Sequence, residues 1–122
     1  MRTRAILVVD EDAAAWTTTV ATLSRAGYRV ASARGFEEAK ALLSVIEAPD
    51  LLITELRLGA FNGLHLIIRT RVSRPDMAAI IVTGFSDPVL KVEANRLGVA
   101  YLVKPPNPAE LLPLVSRVAP LS

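Results

Sequence analysis

Six residues able to do chemistry stand at the ends of short apolar runs. Asp10, Glu11 and Asp12 follow Ala5–Val9, Glu55 follows Asp50–Thr54, Thr83 closes Ala78–Thr83, and Lys104 follows Val99–Val103. Clustered carboxylate oxygens suit a hard cation such as Mg2+, which keeps several waters and takes one or two carboxylates. A hydroxyl and an ammonium beside them would suit a phosphoryl group, one by hydrogen bonding and the other by charge. Each residue alone says little. An acid after a strand is commonly a helix cap, and Asp12 reads equally well that way. The weight lies in four strand ends that agree.

The elements that must position them are legible from patterning. Runs rich in Val, Ile and Leu alternate with helical stretches along the whole chain. After the first run, Ala13–Ala26 reads as a helix stopped by Gly27, a residue suited to the left-handed position past a helix end. Tyr28–Ala33 is the second strand. Phe36, Ala39, Leu42, Leu43 and Ile46 then recur at helical spacing until Pro49. A loop with Gly59 and Asn62-Gly63 leads to a helix carrying Leu64, Ile67 and Ile68. Asp87-Pro88 opens a helix that stops at Gly98. Asn107-Pro108-Ala109-Glu110 opens the last one, with Pro113 inside it expected to kink it. Alternating strands and helices predict right-handed crossovers and a parallel sheet covered on both faces. Ligands of such sheets bind beyond the carboxyl ends of the strands, where the six residues fall.

Composition narrows the functional classes. The 122 residues are one domain's worth, and 52% of them are apolar, enough for a sizeable core. No apolar run nears the ~20 residues needed to span a bilayer, and Met1-Arg2-Thr3-Arg4 is too short for a secretory leader. The absence of cysteine excludes disulfides, thiolate metal sites and cysteine nucleophiles. A formal charge of +2, with no basic run, gives no sign of direct nucleic-acid binding. The expectation is a cytoplasmic protein without membrane contact.

The segments Ile6-Leu7-Val8-Val9-Asp10-Glu11-Asp12, Pro49-Asp50-Leu51-Leu52-Ile53-Thr54-Glu55, Ile81-Val82-Thr83-Gly84 and Tyr101-Leu102-Val103-Lys104-Pro105 together resemble the signature stretches of two-component response-regulator receiver domains. The likeness spans the whole chain, taken as one receiver domain over residues 1–122. It implies a flavodoxin-like α/β fold, five parallel strands in the order 2-1-3-4-5 with helices on both faces. By the same resemblance Asp10 and Glu11 match the acidic pair that holds Mg2+, joined by Glu55 and the Arg57 backbone carbonyl. Glu55 stands where the family carries its phosphate-accepting Asp. Thr83 matches the hydroxyl that moves onto the phosphoryl group, Lys104 the cation that pairs with it, and Tyr101 the aromatic that turns inward on activation. Pro105 matches the proline that follows a cis peptide. The implied partner is a sensor histidine kinase or another signalling protein, and the domain regulates by binding rather than by catalysis.

Three departures qualify the resemblance. Glu55 carries one methylene more than Asp, so its carboxylate is expected to reach roughly 1.5 Å further out and hold Mg2+ only weakly. It either imitates a phosphorylated Asp or marks a lost switch, and the lost switch is the favoured reading. Second, Gly98-Val99-Ala100-Tyr101 is one residue shorter than usual, and Pro106 replaces a bulky apolar residue. Third, Trp16 and Val20, one turn apart, fall where relatives are polar. They read as an exposed pair for a partner helix or a second copy of the chain, or else as core in a slightly rotated helix. His65 reads as surface or packing. The alternative enzyme reading is a Mg2+-dependent phosphatase of the haloacid dehalogenase type using Asp10 and Asp12. Against it, the Thr expected shortly after the second Asp is Ala14.

Overall fold

The computed structural model describes residues 4–45 and 49–121, so Ile46 lies outside the described residues. Five parallel strands form the sheet: β1 (Ala5–Val9), β2 (Arg29–Ala33), β3 (Leu51–Thr54), β6 (Ala78–Thr83) and β7 (Ala100–Val103), in the order β2-β1-β3-β6-β7. A two-stranded hairpin, β4 (Arg57–Leu58) and β5 (Phe61–Asn62), stands where the sequence suggested a plain loop. With that hairpin set aside, the spatial order is the expected 2-1-3-4-5. The helices are α1 (Ala13–Arg25), α2 (Phe36–Leu43), α3 (Gly63–Ser73), α4 (Pro88–Arg96) and α5 (Pro108–Val118).

Alternation along the strands divides the core in two. Leu7, Val9, Leu52 and Ile81 face α2, α3 and α4, whereas Ile6, Val8, Ile53 and Val82 face α1 and α5. Both faces are covered, so the central strands read as unbroken apolar runs. Helix starts follow their caps. Asp12, Asn62, Asp87 and Asn107 each accept hydrogen bonds from first-turn amides of α1, α3, α4 and α5. Gly27 takes φ +100 just past α1, as its place after the helix end required. Pro113 lies within α5 with its side chain exposed, and the helix continues past it to Val118.

Helix α1 corrects the reading of Trp16 and Val20 as an exposed pair. Both are half-buried and pack on the cluster formed by Ile6, Val8, Leu23 and Ile53. The buried stripe runs through Trp16, Thr19, Val20 and Leu23, spaced 3, 1 and 3 residues apart as one helical face demands. The Arg34 guanidinium lies 5.6 Å from the centre of the Trp16 ring and covers its outer side.

Candidate functional site

Register brings the six residues to one edge. Glu55 donates its amide to the Val9 carbonyl at 2.8 Å, and Lys104 donates its own to the Thr83 carbonyl at 2.9 Å. The strand ends after β1, β3, β6 and β7 are thereby side by side. The Lys104–Pro105 peptide is cis, as the resemblance implied. Pro106, in place of a bulkier apolar residue, is buried.

At the centre Lys104 pairs with two acids. Its Nζ lies 2.7 Å from Asp10 Oδ2 and 2.9 Å from Glu55 Oε1. The side chains are only 14%, 8% and 7% exposed respectively, so these are ion pairs held largely out of water. Burial by itself would lower the lysine pKa. The hydrogen bonds to Asp10 and Glu55, with their negative charges, outweigh it and hold the ammonium above its ordinary value.

The Glu55 carboxylate does not reach outward, contrary to the expectation from its length. It curls back, and Oε2 accepts from the amides of Leu56 and Arg57, the latter at 3.2 Å. The additional methylene makes room for this return: with Oε1 on Lys104 and Oε2 on two amides, both oxygens are occupied. Gly63 makes the backbone beneath possible. A Cβ there would stand 2.4 Å from the Glu55 carbonyl oxygen and 2.8 Å from Thr54 Cγ2. Sequence patterning placed Gly63 only in a loop. The Asn-Gly step before an apolar helix was the available signal.

Asp10 accepts from the Asp12 amide through Oδ1 at 2.9 Å. Asp12 caps α1, with Oδ1 accepting from Ala14 at 3.1 Å and Ala15 at 3.4 Å. Glu11 is exposed and turns toward the loop glycines. Its Oε1 is 3.6 Å from where a Cβ on Gly35 would be and 4.0 Å from the corresponding point at Gly59.

On the other side Thr83 is fully buried, and its Oγ1 accepts from the Phe85 amide at 3.2 Å. Tyr101 is half-buried and donates its hydroxyl to the Phe85 carbonyl at 2.9 Å. Burial first, then the charges of Asp87 and Glu55, raise its phenol pKa. The Arg57 guanidinium lies 4.4 Å from the centre of the Phe85 ring. Phe85 thus joins three of the expected site residues, and patterning missed it. An aromatic two residues past the strand-end Thr was its only mark.

Receiver domains typically bind Mg2+ at the phosphorylation site. The residues do not fit as they stand. The oxygens of Asp10 and Glu55 engage Lys104 and backbone amides, and Glu11 turns toward Gly35 and Gly59. Among the described residues no three acids or histidines gather around one point. As they stand, Asp10, Glu11 and Glu55 are directed to Lys104, to backbone amides and to the loop glycines rather than to one shared point.

Comparison with known proteins places this geometry. Residues 6–116 match the response regulator receiver domain family. The alginate biosynthesis transcriptional regulatory protein AlgB of Pseudomonas aeruginosa is 41% identical over 107 residues, 87% of this chain and 24% of that protein. The chain thus spans about a quarter of the length of that relative. A CheY-like receiver domain protein from Methanospirillum hungatei superposes with a TM-score of 0.86 at 31% identity, covering 95% of this chain and 93% of the other. A receiver protein from Pseudomonas putida gives 0.85 at 32%, covering 96% and 98%. These matches disfavour the phosphatase reading, as does Asp12, whose carboxylate is taken up by the helix cap. Receiver domains are generally non-catalytic signalling modules. Among the described residues no helix is long and apolar enough to cross a membrane. With the fold, the strand-end site and the sequence match in agreement, the chain belongs to the response regulator receiver domain family and is a receiver domain of two-component signalling.

Proposed function

We propose that this domain signals by binding and does not cycle by phosphorylation at Glu55. One observation carries the reading: both Glu55 carboxylate oxygens are occupied, by Lys104 and by the amides of Leu56 and Arg57. An acceptor must present a free oxygen in line with the incoming phosphorus, and this one is turned back on its own backbone. The domain works in the cytoplasm as one folding unit. It is met by a sensor histidine kinase or by another signalling protein that reads its surface. The transcriptional role of the Pseudomonas aeruginosa relative points to an output in gene regulation.

Intact-mass analysis with Mg2+ and a small phosphodonor tests this. Wild type should gain no phosphate. Glu55→Asp, too short to curl back in the same way, should gain one that is lost in acid and in base. Stable phosphate on wild-type Glu55 would overturn the proposal. An inert Asp variant would mean that the site has decayed beyond position 55.

A further inference from the structure

Phe85 lies in the irregular stretch between β6 and α4, residues 84–87, yet three side chains grip it. Thr83 Oγ1 accepts from its amide at 3.2 Å, and the Tyr101 hydroxyl donates to its carbonyl at 2.9 Å. The Arg57 guanidinium lies 4.4 Å from the centre of its ring. Both backbone groups of Phe85 are thus satisfied without any regular element. The preceding Gly84 adds no packing, since beyond its chain neighbours no heavy atom lies within 4 Å of where its Cβ would stand. The place of the loop therefore depends on what holds Phe85.

The three grips differ in origin. Thr83 and Tyr101 belong to β6 and β7, the strands that border the loop and α4. Arg57 comes from outside that unit, on β4, where it pairs with Asn62 of β5. This hairpin has anchors of its own. Leu58 is buried, and the Phe61 ring stacks on Phe36 of α2 at 4.3 Å and 16°. Among the described residues no carboxylate lies within ion-pair distance of the Arg57 guanidinium, so its charge rests on the Phe85 ring.

The neighbourhood offers room for another arrangement. A cavity of about 350 Å3 is lined by Gly84, Phe85, Asp87, Lys91, Tyr101 and Val103 among others. Lys91 Nζ stands 5.8 Å from the centre of the Tyr101 ring and carries the connection on to α4. A small shift of Phe85 would thereby reach Tyr101 and the surface of α4.

We propose that Arg57 is a latch: carried by the β4–β5 hairpin, it grips the Phe85 ring and keeps the loop after β6, and with it Tyr101, in the arrangement seen. The hairpin thus sets the shape of the face formed by this loop, β7 and α4. The latch needs no phosphoryl group and holds whatever the fate of Glu55.

Hydrogen exchange at the Phe85 amide, followed by NMR without any phosphodonor, reads the latch directly. Arg57→Ala should speed it about two- to fivefold, the worth of an exposed cation–π contact, and should shift the Tyr101 ring resonances. The amides of Ile53 and Ile80, in the central strands, should exchange as in wild type. Phe85→Leu removes the ring and leaves the backbone bonds to Thr83 and Tyr101. In that background Arg57→Ala should produce no further change at residue 85, because the group through which it acts is gone. An unchanged Phe85 amide with unchanged Tyr101 resonances in Arg57→Ala overturns the proposal. So does an effect of Arg57→Ala that is as large in the Phe85→Leu background as in wild type. Equal speeding at Ile53 and Ile80 overturns it too, because that is global unfolding and not release of a latch.

Discussion

Replacing Lys104 with Met keeps the stem and removes the charge, isolating the ion pair at the site's centre. Lys104 holds two carboxylates at 2.7 and 2.9 Å, each less than a tenth exposed. Removing one partner of a buried pair costs about 3–5 kcal/mol, because the remaining charge is left uncompensated. Lys104 itself is 14% exposed, so water can enter part of the vacated space, and a loss of about 2–4 kcal/mol is expected after that discount. At ~4 °C per kcal/mol for a domain of this size, Tm should fall by about 8–16 °C. Urea unfolding followed by circular dichroism and by Trp16, the only tryptophan, measures it. The pH dependence has a defined sign. Pairing raises the folded-state pKa of Lys104, so its stabilisation is fully present below the unfolded value of 10.5 and is lost as pH rises through the folded one. The gap between wild type and Lys104→Met should thus persist across neutral pH and close in strong alkali. A loss under about 0.5 kcal/mol at pH 7, or a gap that does not close in strong alkali, would refute the pairing argument.

Three further outcomes follow from the same geometry. Gly63→Ala should destabilise by about 2–3 kcal/mol in urea unfolding, because its methyl meets the Glu55 carbonyl, a backbone atom that cannot swing aside. Asp12→Ala should cost about 1 kcal/mol through the lost α1 cap, whereas Asp12→Asn should cost far less because it can still accept from Ala14 and Ala15. Millimolar Mg2+ should leave the wild-type Tm unchanged, since a bound cation would stabilise by mass action and the acids here are engaged elsewhere. A Tm rise that saturates with Mg2+ would show that the acids reorganise around metal.

The sheet was legible because its central strands are covered on both faces and so appear as unbroken apolar runs, while Gly27, Asp87 and Asn107 marked helix limits by backbone chemistry. The site's membership followed from topology, since residues just past parallel strands must share an edge. Side-chain direction was less accessible. On α1, Ala and Thr surround Trp16, so polarity contrast was too weak to fix which face turns inward, and the bulk of Trp16 decided it. At Glu55 chain length suggested reach, but two backbone amides and Lys104 offered closer partners than solvent. The hairpin of β4 and β5 has arms of two residues each, too short for any periodicity. The cis bond before Pro105 came from family likeness alone.

Whether Glu55 imitates a phosphorylated Asp or marks a lost switch turns on what surrounds its carboxylate. A phosphoryl group would bring nearly twice the charge and three acceptor oxygens, enough to engage Lys104 and Thr83 together. Glu55 has two oxygens, and it directs one to Lys104 and the other to its own backbone. Thr83 uses its hydroxyl oxygen to hold the Phe85 amide, while Tyr101 and Arg57 hold the same residue by its carbonyl and its ring. The loop after β6 is therefore fixed by contacts that do not run through Glu55. A mimic acts by drawing that loop toward the acceptor. Here the acceptor position and the loop are each satisfied separately, which favours a binding surface whose shape is set when the chain folds.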